Sequence, residues 1–438
     1  MSSLKNVYQS FDSVFDRSIQ RHSHMLDSVG MEAFESMNRQ LTTDSNLLLS
    51  KSNVAEAEYG IQEAIRGLFG KKFTNAHSIG GHPDFDYLGE EQKTERGFNV
   101  SLFMDIKGST RLGLIYSPEE VFFIKNSIIR CAIETIRAFD GHVHRIMGDA
   151  VLAFFRADGE SARNAAIDAV NCGCYLVEFM RQHVAPKFQQ HGVEDVGIRV
   201  GIDYGKHDDV LWGMYGFQGS SEVTATSFYV DVAAKLQQCA PRNRVMLGDS
   251  ICQLLDLHQE LLEPKWVNNR ENTEPYILPN YTDKNRKPIN YKKHVLVQNK
   301  YFNLLPKPEW DRAPIQITAF LKARQGVIYD NPEPYQACSR GIDKGLGIDF
   351  KARFALPYHS DDVKVRFRVR NHGQEAGENK TYHVDIPAIY QRERAQYWAS
   401  YWRDTAYTGL HYMCISVLVD GKILLPEQDF GVYIGSPV

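Results

Sequence analysis

Asp105 ends the apolar run "FNVSLFMD", and Lys107, Gly108, Ser109 and Thr110 follow it almost at once. A second carboxylate, Asp149, lies in "RIMGDAVLAFF". Two carboxylates brought to one spot repel unless a cation lies between them, and ligands that are all oxygen suit Mg²⁺ or Mn²⁺. Small residues directly after the first carboxylate let backbone N–H groups approach a polyphosphate. Each piece also has an ordinary reading. A Gly-Asp pair in a hairpin is common turn chemistry, and an Asp at a strand end commonly caps a helix.

The elements around these residues decide whether the two carboxylates can meet. Alternation in "FNVSLFMD" puts Phe98, Val100, Leu102 and Met104 on one face of a strand and Phe103 with Asp105 on the other. Ser117, Pro118 and Glu120 supply an N-cap, a first-turn proline and a capping-box glutamate for a helix to about Phe139, closed by Asp140-Gly141. "HVHRIM", Gly148-Asp149 and "AVLAFF" read as a hairpin. A second helix from about Glu160, the strand "VGIRVGIDYG", a strand near "VLWGMYGF" and the helix "YVDVAAKLQQCA" follow. The expected fold is α+β, a ferredoxin-like βαββαβ domain. In that order the end of the first strand and the hairpin turn lie on neighbouring central strands, so Asp105 and Asp149 point at one spot.

At 438 residues the chain is long enough for two or three domains, and 43% hydrophobic with 24% charged residues describes an ordinary globular protein. A formal net charge of -4 excludes a global basic field for nucleic acid. No apolar run reaches the ~18 residues of a membrane span, and the N-terminus has no signal-peptide core, so a cytoplasmic protein without membrane partners is expected. Seven cysteines, an odd number, read as reduced thiols. Cys172 and Cys174 lack the second ligand pair of a zinc site and read as structural.

Four zones are expected: a helical region over 1–95, the βαββαβ domain over 96–260, a linker and extension over 261–314, and a β-rich, sandwich-like module over 315–438. In the last zone "VKVRFRVRN" alternates apolar residues with Lys364, Arg366, Arg368 and Arg370. That pattern is either a solvated edge strand protected by charge or an anion-binding surface.

"FMDIKGST", "RIMGDAVLAFF", "IRVGIDYG" and "YVDVAAKL" together resemble the successive motifs of the class III nucleotidyl cyclases, the adenylate and guanylate cyclase catalytic domain, over about residues 98–255. The resemblance implies two divalent cations, Mg²⁺ or Mn²⁺, on Asp105, Asp149 and the carbonyl of Ile106. Gly108, Ser109 and Thr110 would hold the triphosphate. It also implies a homodimer with sites at its interface, one protomer giving the metals and the other the base and transition-state contacts. "NHGQEA" and "WRDTAYTGLHYMC" resemble the C-terminal sensor module found behind such cyclases, and the pairing resembles the pyrimidine cyclases of the Pycsar antiphage system. Those make cyclic UMP or cyclic CMP for a separate effector protein.

Departures from the purine-cyclase pattern set the remaining expectations. Arg145 stands where adenylate cyclases place a base-reading lysine, and Thr224 falls at the second base-reading position. Asp231 replaces the ribose-orienting asparagine and Lys235 the transition-state arginine, although the two also read as an exposed i,i+4 ion pair. A further phosphate-binding lysine would fall near Lys265 or Arg270. Phe103 would wall the base pocket or serve as a core aromatic, and His142 and His144 read as structural strand residues. Arg145 is long enough to fill the space of a purine's second ring, and a guanidinium offers donors only, which favours UTP over CTP. A conventional purine cyclase and a degenerate nucleotide-binding domain stay open as alternatives.

Overall fold

The computed structural model describes residues 7–8, 51–91, 93–190, 196–217, 220–322, 332–373, 375–377 and 381–435. The N-terminal segment before residue 51 therefore lies almost wholly outside the described residues. Helix α1 (Lys51–Phe69) places Ile61, Ile65 and Phe69, one helical face at i, i+4 and i+8, in the core. Strand β1 (Asn99–Lys107) leads through the short helix Ser109–Ile115 to α2 (Pro118–Ala138), whose start carries the Ser117/Glu120 capping box with Pro118 in the first turn. Then come β2 (His142–Met147), β3 (Ala150–Phe155), α3 (Ala162–Phe179) and β4 (Gly197–Gly205).

These strands lie in the order β2-β3-β1-β4, with β1 antiparallel to both β3 and β4. That is the ferredoxin-like order, built from the two-residue hairpin turn and the two helical crossovers. One face of the sheet is apolar: Val100, Leu102, Met104 and Ile106 of β1 bury against Ile128 and Ile136 of α2 and Val170 and Val177 of α3. Each such side chain contributes roughly 1.5 to 3 kcal/mol by leaving water. The other face carries Phe103 and Asp105, as the alternation requires.

After β4 the chain leaves the sheet. β5 (Leu211–Phe217) and β6 (Ser220–Thr226) pair with Thr94–Arg96 in a separate three-stranded sheet. Its Trp212, Val223 and Ala225 pack with Phe85, Leu88, Leu152 and Phe154, and Phe85 stacks on Trp212 at 4.3 Å. Helix α4 (Phe228–Cys239) then crosses the second face of the main sheet. A Cβ on Gly201 of β4 would meet Gln237 N at 2.2 Å and Ala233 O at 2.4 Å, so only glycine allows this close approach. β7 (Arg244–Gly248) runs parallel to β4 and leads into α5 (Asp249–Leu254).

The stretch expected to be a linker is built into the core. β8 (Leu262–Glu263) and β9 (Lys293–Leu296) extend the main sheet to seven strands, and Ile277, Val295, Leu296, Tyr301, Leu304 and Leu305 are buried. The polar Asn/Lys/Pro text of this region conceals those apolar positions because they lie on elements of only two to five residues or in the turns beside them, too short for a readable period.

Residues 316–434 form two five-stranded sheets that share one core, with Phe350, Ala352 and Tyr397 facing Val365, Phe367, Ile415 and Phe430. The back of this sandwich continues into the cyclase-side core: Leu410, Tyr412, Cys414 and Tyr433 join the cluster of α3. Tyr301 donates to Asn171 at 2.8 Å and meets the Tyr433 hydroxyl at 3.0 Å, and Asn171 donates to the Cys338 carbonyl at 2.9 Å. All seven cysteines are free thiols, and Cys172 and Cys174 are buried in α3. Among the described residues no helix is long and apolar enough to cross a membrane.

The basic strand is neither an edge nor an open anion surface. Val363–Arg370 lies between Thr381–Pro387 and Gly409–Val419. Arg366 forks onto Asp385 at 2.7 and 2.8 Å, Arg368 bonds Glu427, and Arg370 bonds Glu260 on the cyclase side. Asp385 faces Arg366 directly across the ladder, whereas Glu427 reaches Arg368 from a strand two places away and Glu260 reaches Arg370 from outside the sandwich.

Candidate active site

Asp105 and Asp149 come together as the topology requires. Asp105 is paired in register with Ala150, the residue after Asp149, and Ile106 N–H donates to the Asp149 carbonyl at 3.2 Å. The turn between β2 and β3 has positive φ at Gly148 and not at Asp149, the pattern of a II′ hairpin. Gly108 sits at φ 90 as the N-cap of the helix Ser109–Ile115, a left-handed conformation that glycine adopts at little cost. That geometry turns the buried Ser109 hydroxyl onto Asp149 Oδ2, while Thr110 is exposed.

The cation now balancing this cluster is a side chain that sequence reasoning missed. Arg199 of β4 faces Asp105 in register and donates from both Nε, at 2.9 Å, and Nη2 to its two carboxylate oxygens, with a third bond to the Gln238 carbonyl of α4 at 3.1 Å. Its hydrogen bonds to Asp105, and then the charges of Asp105 and Asp149, hold the guanidinium above its ordinary range. One signal for it was present: alternation in "VGIRVGIDYG" puts Arg199 on the same face as Gly201 and Asp203, a polar position in a central strand.

The donor set fits a hard divalent ion. Two carboxylates share one positive partner, and the nearby backbone carbonyl of Ile106 belongs to the residue between Asp105 and the turn to Gly108. Arg199 marks the place where positive charge is needed.

Arg145 lies on the exposed half of β2, past a one-residue register shift at His144. It is bound by both nitrogens of its fork to Glu222 of β6, Nε to Oε1 at 3.1 Å. His144 Nε2 lies 3.0 Å from the same oxygen. Glu222 was also missed, since nothing in "SSEVTAT" marks its partner. Thr224 shares the face of Glu222 on β6 and is half-buried. Phe103 packs half-buried against the Phe154–Trp212 cluster, between the carboxylates and the β5–β6 arm. His142 and His144 are buried and both bond the Gly80 carbonyl at 2.9 Å, a structural role.

Asp231 and Lys235 stand on the outer side of α4. Asp231 is exposed, and Lys235 is drawn to Tyr281, whose hydrogen bond raises the ammonium above its usual value and whose ring centroid is 5.6 Å away. Among the described residues no ion pair joins Lys235 to Asp231, and no hydrogen bond joins either to Asp105 or Asp149. Lys265 pairs with Glu274 at 3.0 Å, and Arg270 sits in an exposed turn at φ 73; among the described residues no hydrogen bond or ion pair joins either to Asp105 or Asp149.

Residues 93–279 match the family described as Adenylate and Guanylate cyclase catalytic domain. Together with the fold and the paired carboxylates, this makes the protein a class III nucleotidyl cyclase. Residues 294–435 match the Adenylyl/Guanylyl and SMODS C-terminal sensor domain. A cytidylate cyclase of Escherichia coli is 38% identical over 97% of this chain and 93% of its own length. A second from Escherichia coli is 36% identical over 88% and 89%, and one from Staphylococcus aureus 32% over 98% and 97%. The chain belongs to this family of cyclases joined to a C-terminal sensor. Enzymes of this class use divalent metal ions.

Proposed function

We propose that the enzyme converts CTP to 3′,5′-cyclic CMP and pyrophosphate. The observation that carries this reading is the Arg145–Glu222 pair. The expectation of UTP rested on a guanidinium acting alone, with donors only. With Glu222 beside it, the base edge meets an acceptor as well: the carboxylate accepts from the cytosine 4-amino group while Arg145 donates to N3 and O2. The names of the three long relatives support the same choice. Arg145 has five N–H donors and Glu222 about four acceptor sites, so the pair keeps capacity for a base.

Asp105, Asp149 and the Ile106 carbonyl would hold two Mg²⁺ or Mn²⁺ ions, which when bound acidify the ribose 3′-hydroxyl and neutralise the α-phosphate. The 3′-oxygen forms a bond to the α-phosphorus as the bond to pyrophosphate breaks. Gly108, with the amides of Ser109 and Thr110, cradles the triphosphate. Arg199, released from Asp105, offers its fork to the phosphates. A second copy of the chain supplies Asp231 to the ribose and Lys235 to the transition state, so the working unit is a homodimer. The cyclic nucleotide acts as a second messenger for a separate effector in antiphage defence, a reading that rests on the catalytic and sensor pairing.

Competition between equal CTP and UTP, with cyclic products quantified by mass, tests the substrate. Predominantly cyclic CMP is expected, and predominantly cyclic UMP would overturn the reading. In Glu222→Gln the new amide can donate where only an acceptor stood. The CTP preference should fall about tenfold to a hundredfold, the worth of one hydrogen bond to a charged group.

A further inference from the structure

We propose that His258, Glu260 and His372 form a zinc site that joins the cyclase domain to the sensor module. His258 Nδ1 lies 3.3 Å and His372 Nε2 3.9 Å from the same oxygen, Oε1 of Glu260. The two imidazole rings are 3.7 Å apart between centroids, and one ligand atom from each of the three residues falls within 4.8 Å of the others. Around a tetrahedral zinc ion at about 2.0 to 2.1 Å, ligand atoms stand roughly 3.3 Å apart, so the two imidazoles must swing by about 1 to 1.5 Å, a side-chain rotation, to turn their nitrogens onto one ion. Two imidazoles and one carboxylate select a borderline transition metal over Mg²⁺ or Mn²⁺, and leave a fourth position for water.

The site draws on both halves of the molecule. His258 and Glu260 follow α5, and His372 belongs to the "NHGQEA" motif, which the cyclase reaction does not use. His372 is 8% exposed, with its backbone N–H held by His411 Nδ1 at 3.1 Å, while His258 at 28% and Glu260 at 32% leave a path for an ion. The two halves are pressed together here: a Cβ on Gly373 would lie 2.3 Å from Asp256 Oδ2. Among the described contacts, two hydrogen bonds at Glu260 must adjust. The Glu260 N–H now bonds His258 Nδ1 at 3.2 Å, and that lone pair passes to the ion. Arg370 now bonds Glu260 Oε1; a carboxylate has about four acceptor sites, so the guanidinium can keep Oε2.

The test uses the full-length protein, stripped with chelator and titrated with Zn²⁺ in excess Mg²⁺, with bound metal counted by mass spectrometry and thermal unfolding followed alongside. One zinc per chain and a rise in Tm are expected. The double variant His258→Ala/His372→Ala should weaken zinc binding about a hundredfold or more and lose the Tm rise, while its zinc-free Tm stays near that of the parent. Should that variant fail to fold, Co²⁺ is bound to the unaltered protein and its visible spectrum read for tetrahedral imidazole ligation. Substoichiometric zinc, zinc retained by the double variant, or a cobalt spectrum without imidazole ligation would each overturn the site.

Discussion

Replacing Arg199 by methionine separates the two demands on Asp105. Arg199 forks onto that carboxylate, with the arginine side chain 24% and the aspartate 16% exposed. A hydrogen bond to a charged group contributes about 1.5 to 3 kcal/mol, and partial exposure screens the pair toward the lower end, about 1.5 kcal/mol. Methionine keeps most of the buried stem and removes the charge, so chelator-treated Arg199→Met should be less stable by about that amount. The same energy no longer opposes a divalent ion. Mn²⁺ without nucleotide should therefore bind about tenfold more tightly to the variant, measured by calorimetry. Turnover should move the other way, with KM for the nucleotide raised, since the triphosphate loses its fork. Unchanged or weaker Mn²⁺ binding would refute the idea that Arg199 holds the place of metal charge.

Three further expectations follow from the same geometry. Asp105→Ala and Asp149→Ala should each abolish cyclisation while leaving the fold intact, and measurable turnover by either would remove the metal assignment. Mixing inactive Asp105→Ala with inactive Lys235→Ala chains should restore activity if a second copy completes the site; an inactive mixture would place the site within one chain or leave Lys235 without a role. Asp203 is wholly buried, accepting from Ser250 at 2.6 Å and Tyr291 at 2.7 Å, and burial pushes its carboxyl up to about 7. A folded-state value above the unfolded one means the native protein holds the extra proton, so this group lowers stability as pH rises from about 4 through 7. Asp203→Asn removes that loss. The Tm difference between variant and parent should move in the variant's favour from pH 5 to pH 8, and parallel curves would contradict the protonation of Asp203.

Much of the catalytic half was determined by the sequence alone, because its signals are local. The Ser117-Pro118-Glu120 cap, the Gly148 turn and the two-residue alternation of β1 each depend on neighbours within a few positions. Together they bring Asp105 and Asp149 to adjacent strands. The sandwich of residues 316–434 was legible for the same reason, since alternation in strands such as Val363–Arg370 marks one buried face. Tertiary structure decided the partners of charged side chains. Arg199 on Asp105, Glu222 on Arg145 and Glu260 on Arg370 join residues 94, 77 and 110 positions apart. A charge has no periodicity, and its partner is whatever the packed backbone places within about 3 Å. For that reason the substrate argument built on Arg145 alone lacked its acceptor. For the same reason the basic strand, exposed by pattern, proved to be neutralised by carboxylates from three different elements.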